Sequence, residues 1–358
     1  MQEVSAPMKT TVKRTLLGAA LLAVLAAALP FLCLVPLFAP GQAGSSGQAA
    51  APDTAEAGSQ TESAVATAAP TAEPRAEPQA ILLWDEAQGQ AVSVPAREYM
   101  MGAAACEMPM TWPDAALQAQ MVASHSWALY QLAHSDAAGT AITVNSDQCS
   151  GWTTQAVLQS RWGDEFDANW QRLGRLADQV LYDLVLYEGQ PAAACYHAVS
   201  SGHTQASQRV WVEALPYLQG VDSAWDQYAD GFEVSVQYTA QQVSDALASG
   251  LGIQAGQSGS GPAGWVGETV WDDAGYVESI TLCGQQVSGT QVRSALSLRS
   301  ACFAIAWQDG QFTVTTRGYG HGVGLSQAGA RAMAAGGSSW QEILLYYFPG
   351  TEIGSAGV

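Results

Sequence analysis

The chain has 358 residues, a formal net charge of −19 and 48% hydrophobic residues, enough for one large domain with appendages. From residue 81 onward nine Arg stand against twenty-six Asp plus Glu, and no Lys occurs after Lys13. That balance argues against nucleic acid and anionic membrane surfaces as partners, since both need basic patches.

Residues 16–39 carry no charged side chain and are long enough to cross a bilayer as a helix, even with Pro30 and Pro36 inside. Lys9, Lys13 and Arg14 precede this run, which places residues 1–15 in the cytoplasm and the rest of the chain outside. A cleaved secretory signal is the competing reading, but Pro40 directly after "LFA" makes a poor cleavage point. The expectation is a single-pass anchor in the cell membrane. Residues 40–80 are Ala, Gly, Ser, Gln, Thr, Glu and Pro with almost no large apolar group, so they read as a flexible tether. Residues 81–358 are then the extracytoplasmic domain.

That domain opens with "AILLWD" and "QAVSVP", two short strand-like pieces. "AREYMMGAAACEM" reads as a helix ended near Pro109. "TWPDAALQAQMVASHSWALYQLAH" has a strong helix start, with Pro113 suited to the first turn and Asp114 to the positive end of the dipole. Leu117, Met121, Ser124, Ala128 and Leu132 recur on one face. Further helices are expected over 164–178, 240–249, 326–335 and 340–347, and strands over 179–189, 192–200, 276–284, 302–310 and 311–318. No internal repeat is visible. Helices and strands mix without regular alternation, which indicates an α+β fold rather than a doubly wound sheet.

Five cysteines lie outside the apolar segment: Cys106, Cys149, Cys195, Cys283 and Cys302. An odd number cannot pair wholly within one chain, and no CxxC is present, so a zinc ribbon is excluded. Most read as small buried hydrophobes.

Three stretches suggest chemistry. In "AACEMPMTW", Glu107 sits among alanines, methionine and proline. Lost solvation would favour its neutral form and make it a general acid. A helix-terminal Glu facing water is the plainer alternative. "YHAVSSGHT" invites a zinc reading through Cys195, His197 and His203, or a serine-hydrolase reading, yet it matches no common zinc signature and no GxSxG. The plainer reading is a strand entering a Ser-Gly turn. In "RGYGHGVGLSQAGA", four glycines interleave Tyr319, His321 and Val323 before a helix. They leave room for close backbone approach, and no phosphate-loop lysine follows.

Taken in order, these blocks resemble the stage II sporulation protein D family, which also includes amidase enhancers. "YMMGAAACEMPMTWPDAALQAQMVASHSWAL", "YHAVSSGHTQASQRVW", "YLQGVDSAWD" and "GYGHGVGLSQ" with "YYFPGTEI" carry the resemblance, which spans residues 81–353. It implies a bilobed exported domain of helices and antiparallel strands with a substrate groove. The activity implied is that of a membrane-anchored peptidoglycan lytic transglycosylase acting on peptide-stripped glycan strands during engulfment in sporulation. Glu107 matches the family's catalytic glutamate. Family groove residues match His125, Ser200, Ser201, Tyr217, Asp226, His321 and Gln327. The implied partners are glycan strands, a cell-wall amidase and other engulfment proteins, with no nucleic acid and no required cofactor. Some members bind zinc near the position of Cys149, although no full ligand set is legible here.

The chain also departs from the family. His125 stands where the family usually has Arg, Gln219 where a Lys is common, and Gly202-His203 in place of Gly-Gly. These losses of basic groups support an alternative reading, a non-catalytic glycan-binding protein that stimulates an amidase.

Overall fold

A computed structural model of the chain describes residues 76–135, 141–211, 213–257 and 259–355. The expected cytoplasmic tail, membrane helix and nearly all of the tether fall outside the described residues. Among the described residues no helix is long and apolar enough to cross a membrane.

β1 (Ile81–Asp85) and β2 (Gln90–Val94) pair antiparallel. α1 (Ala96–Glu107) then stops at Glu107 because the next residue, Met108, precedes Pro109. A residue before proline avoids the helical region, and Met108 is extended at φ −133°, ψ 139°. Pro113 takes the cap position, one residue before α2 (Asp114–Ala133) rather than inside it. Every residue of α2 from Ala116 to Ala128 is buried. A helix enclosed on all sides is a core element, and its small Ala and Ser side chains let neighbours come close.

β3 (Ile142–Val144) adds to β1 in parallel. α3 (Gln155–Trp162) leads through a 3-10 turn into α4 (Phe166–Val180). Arg172 of α4 fixes the turn between α1 and α2: it donates to Trp112 O at 2.7 Å, to Asp114 Oδ1 at 2.8 Å and to Met110 O. β4 (Leu184–Tyr187) and β5 (Gln190–Pro191) form a short antiparallel pair. β6 (Tyr196–His197) and α5 (Ser207–Val210) follow.

The next stretch builds a separate apolar cluster around Leu247, Ile280, Val292 and Phe312. It contains β7 (Glu233–Tyr238), α6 (Ala240–Leu251), β8 (Val266–Trp271), β9 (Val277–Leu282) and β10 (Gln285–Ser288). α7 (Gly289–Ala295), β11 (Phe303–Gln308) and β12 (Gln311–Arg317) complete it. Two antiparallel sheets result, β10-β9-β8 and β11-β12-β7. The chain then returns to the first cluster. β13 (Leu325–Ser326) pairs in parallel with β6, and α8 (Gln327–Ala335) and α9 (Trp340–Tyr347) pack on α2. β14 (Glu352–Gly354) closes antiparallel to β4.

The observed class is a mixture of helices with mainly antiparallel sheets, and the β1–β3 and β6–β13 pairings are parallel. The strand expected over 179–189 shrinks to Leu184–Tyr187, because α4 continues to Val180 and a turn from Asp183 N to Val180 O closes it. The strand expected over 192–200 shrinks to two residues. Ala192–Ala194 instead fold into tight local turns, and the Ala193 amide is taken by the Tyr217 hydroxyl at 2.9 Å. α3, β7 and β8, which are largely exposed, lack the periodic apolar pattern that would have revealed them.

Gly318, Gly320, Gly322 and Gly324 all have positive φ. At Gly324 (φ +72°) an added Cβ would overlap Cys195 O, the acceptor of the 3.0 Å bond from Leu325 N that zips β13 onto β6. Gly324→Ala should therefore lower the urea-unfolding free energy by about 2–4 kcal/mol, combining left-handed strain with overpacking. Gly337→Ala, at φ +95° with no neighbouring atom within 4 Å, should lose only about 1–2 kcal/mol from strain.

Candidate active site

Three elements converge on Glu107. It is the last residue of α1 and 7% exposed. Gln327, the first residue of α8, donates from Nε2 to Glu107 Oε2 at 3.0 Å. The same Nε2 donates to Gln120 Oε1 of α2 at 3.1 Å, and Gln120 Nε2 donates to Ser124 Oγ at 3.0 Å. Glu107 Oε1 is buried with no hydrogen-bond partner among the described residues. Burial pushes the carboxyl up from the ordinary 4.5 to about 7; the Gln327 bond opposes this and the Cys149 charge adds to it. Both protonation states are thus populated near neutrality.

The position of Gln327 is set from below. Ser326 caps α8 by accepting from Gly329 N at 3.2 Å, and its hydroxyl donates to Asp226 Oδ2 at 2.7 Å. The same carboxylate oxygen accepts from Ser200 N at 2.7 Å. Asp226 is fully buried, so it joins the Ser-Gly turn to the α8 cap beneath the site. Burial raises its pKa, and the Ser200 and Ser326 bonds pull the other way.

The other expected site residues are placed as follows. Ser200 is buried and its Oγ accepts from Gly202 N at 3.1 Å. Ser201 donates through Oγ to Ala274 O at 2.7 Å and through N to the Tyr276 hydroxyl at 3.1 Å. Tyr217 is buried against Tyr187, ring centroids 4.9 Å apart, with its hydroxyl on Ala193 N. The His321 ring lies 5.6 Å from that of His197 and 5.1 Å from that of Trp211, and its Nδ1 accepts from Val323 N at 3.1 Å. Burial drives His321 well down. His125 is buried in α2, neither ring nitrogen has a partner among the described residues, and burial pulls it to about 4. It is therefore neutral at pH 7 and supplies no positive charge. Gln219 is exposed and donates to Leu215 O at 3.2 Å.

Glu107 and Gln327 are thus joined directly, with Ser200 and Asp226 tied in through Ser326. His125, Ser201, Tyr217 and His321 share no hydrogen bond with Glu107 among the described residues. Sequence reasoning missed Gln120 and Tyr196. The available signal was a glutamine in the interior of an otherwise apolar helix. Tyr196 of β6 feels both burial and the Glu107 charge, which raise its pKa, while Ser124 lowers it.

All five described cysteines are free thiols. Cys149 is pulled to about 7 by the Cys106 thiol, with Arg161 Nη1 donating to its Sγ at 3.0 Å. Among the described residues no three His, Cys, Asp or Glu side chains gather to hold a metal. A guanidinium against the sulfur also opposes a cation there, so the described residues do not fit zinc at Cys149.

A family model for the stage II sporulation protein SpoIID matches residues 85–175, the stretch that carries Glu107 and Gln120. Stage II sporulation protein D of Bacillus subtilis (strain 168) is 28% identical over 281 residues, 77% of this chain and 79% of that protein. Its counterpart in Bacillus amyloliquefaciens is 28% identical over 269 residues, 74% of this chain and 75% of that protein. The chain is similar to the SpoIID family. The chain is also 25% identical, over 70% of its length, to an amidase enhancer of B. subtilis, covering 39% of that protein.

The raised carboxyl has a consequence for stability. Its folded pKa lies above its unfolded value, so the stability it contributes is complete below 4.5 and is lost as pH rises to about 7. The unfolding free energy of the native protein relative to Glu107→Gln should fall by up to about 3 kcal/mol across that window, leaving the variant the more stable at pH 8. His125 and His197, both pulled from 6.5 to about 4, act in the opposite sense and cancel in this difference. Urea unfolding at a series of pH values measures it.

Proposed function

We propose that this chain is a peptidoglycan lytic transglycosylase with Glu107 as its single acid and base. The observation that carries the reading is the carboxyl itself. It is buried, poised near pH 7, held at Oε2 by a neutral amide, and without a hydrogen-bond partner at Oε1 among the described residues. A protonated Glu107 would donate to the glycosidic oxygen between N-acetylmuramic acid and N-acetylglucosamine. The same group, now ionised, would deprotonate the sugar 6-hydroxyl and close the 1,6-anhydro ring. Glycosidases that use water need a second carboxyl, and none appears among the groups that bond to or act electrostatically on Glu107.

The substrate would be a glycan strand already stripped of stem peptides. Such a strand carries little charge, which suits a domain with no lysine and a site whose histidines are neutral. The relatives named stage II sporulation protein D and amidase enhancer support a cell-wall role in sporulation and a cell-wall amidase as partner. The apolar segment at 16–39 would anchor the domain outside the cell membrane, within the septal space.

A second reading has its own support. His125 and Gln219 replace basic groups of the family, and His125 is neutral. That suits a glycan-holding protein that stimulates an amidase without cutting.

Incubating the chain with amidase-treated peptidoglycan separates the two. New anhydro-muramic ends, measured by mass, should appear with the native protein and fall at least about 100-fold with Glu107→Gln. Glycan binding or amidase stimulation with no new ends would sink the enzyme reading in favour of the second.

A further inference from the structure

We propose that Gln120 is a positioning residue for Glu107: its side-chain carbonyl orients the Gln327 amide so that Nε2, and not Oε1, faces the carboxyl. A primary amide has two N–H groups on one side and an acceptor on the other, and turning it end for end changes its shape little. Something must therefore decide which end of Gln327 meets Glu107. Gln327 divides its two N–H groups between Glu107 Oε2 at 3.0 Å and Gln120 Oε1 at 3.1 Å. Turned over, it would set its carbonyl oxygen against that of Gln120, two buried acceptors with no hydrogen between them.

The orientation of Gln120 is itself fixed. Its Nε2 donates to Ser124 Oγ at 3.0 Å. Donation thus runs from Gln327 to Glu107 and to Gln120, and from Gln120 on to Ser124. Gln120 and Ser124 have no exposed surface and Gln327 almost none, so water does not compete for these bonds. The arrangement makes Gln327 a donor to Glu107 in both protonation states. Donation favours the carboxylate, whereas burial favours the acid. Without Gln120, Gln327 is free to turn and accept from protonated Glu107, and the acid form gains.

The titratable groups that act on Glu107, or feel its charge, are Tyr99 and Cys106 on α1, Cys149 after β3 and Tyr196 on β6. α8 meets the carboxyl with the uncharged Gln327. A change at Gln120 leaves all of these in place.

The test is a pH titration of the full chain, with glutamate labelled by carbon-13 at the side-chain carboxyl. The Glu107 signal is the one lost in Glu107→Gln. In Gln120→Leu the Glu107 midpoint should rise by about one pH unit, the size expected when a bond to the charged form is lost. Ser124→Ala, which conserves volume and frees the far end of Gln120, should raise it by less. This second variant decides the matter if Gln120→Leu does not fold. An unmoved or lowered midpoint overturns the proposal. Its kinetic consequence rests on the transglycosylase reading: the pH profile of glycan cleavage should move with the titration, whereas a merely structural defect would lower the rate at every pH. The titration needs no substrate, so a raised midpoint with no cleavage would sink the transglycosylase reading alone.

Discussion

The arrangement depends on one hydrogen bond, from Gln327 Nε2 to Glu107 Oε2, between residues separated by 220 positions. Each end is held by different means. On the α1 side, the Met-Pro step ends the helix at Glu107 and Arg172 pins the turn that follows. On the α8 side, Ser326 caps the helix and Asp226 fixes Ser326. Two glutamines and a serine within the apolar interior then leave almost no freedom in the amide between them. A buried polar network of this kind is specific because an unmatched donor or acceptor inside it has no water to turn to.

The same interior sets the electrostatics. The chain is strongly acidic, yet the groups around the site are controlled by burial more than by charge. Glu107 is pushed up, and His125, His197 and His321 are pushed down, with desolvation the largest cause in each case. At neutral pH the histidines are uncharged and Glu107 is divided between its two forms. The acid residues counted along the chain lie mainly on the surface, where water screens them. Asp226 is a second buried acid close to the site; its Oδ2 accepts from Ser200 and Ser326, while burial raises its pKa.

The second apolar cluster, built from residues 233–317, enters the chain between the 3-10 helix that carries Asp226 and the glycine-rich block. It meets the site-bearing part through specific polar links. The Tyr276 hydroxyl accepts from Ser201 N, and Gln205 donates to Asp272 Oδ2 at 2.8 Å. These bonds explain why Ser201 and the glycine-rich block sit where they do. The missing Cβ of Gly322 is the space taken by the Tyr276 hydroxyl.

Much of this was legible in the residues. Pro109 and Pro113 bound the first two helices, the last two are expected over 326–335 and 340–347, and the oddly solvated Glu107 marks itself as a candidate acid. These are local effects of backbone sterics and capping, and they need no partner from elsewhere in the chain. What stayed hidden was set by contacts between distant segments. Asp226 read as a groove residue, yet the fold buries it completely beneath the Ser-Gly turn. His125 read as a replaced basic group, yet enclosure within α2 removes its charge. Gln120 drew no notice because a glutamine on a helix usually faces water. The sequence by itself determined where the helices start and stop and that an acid stands at the end of one. Only the tertiary structure decided that this acid is desolvated and which amide holds it, because both follow from what surrounds a side chain and not from its neighbours in the chain.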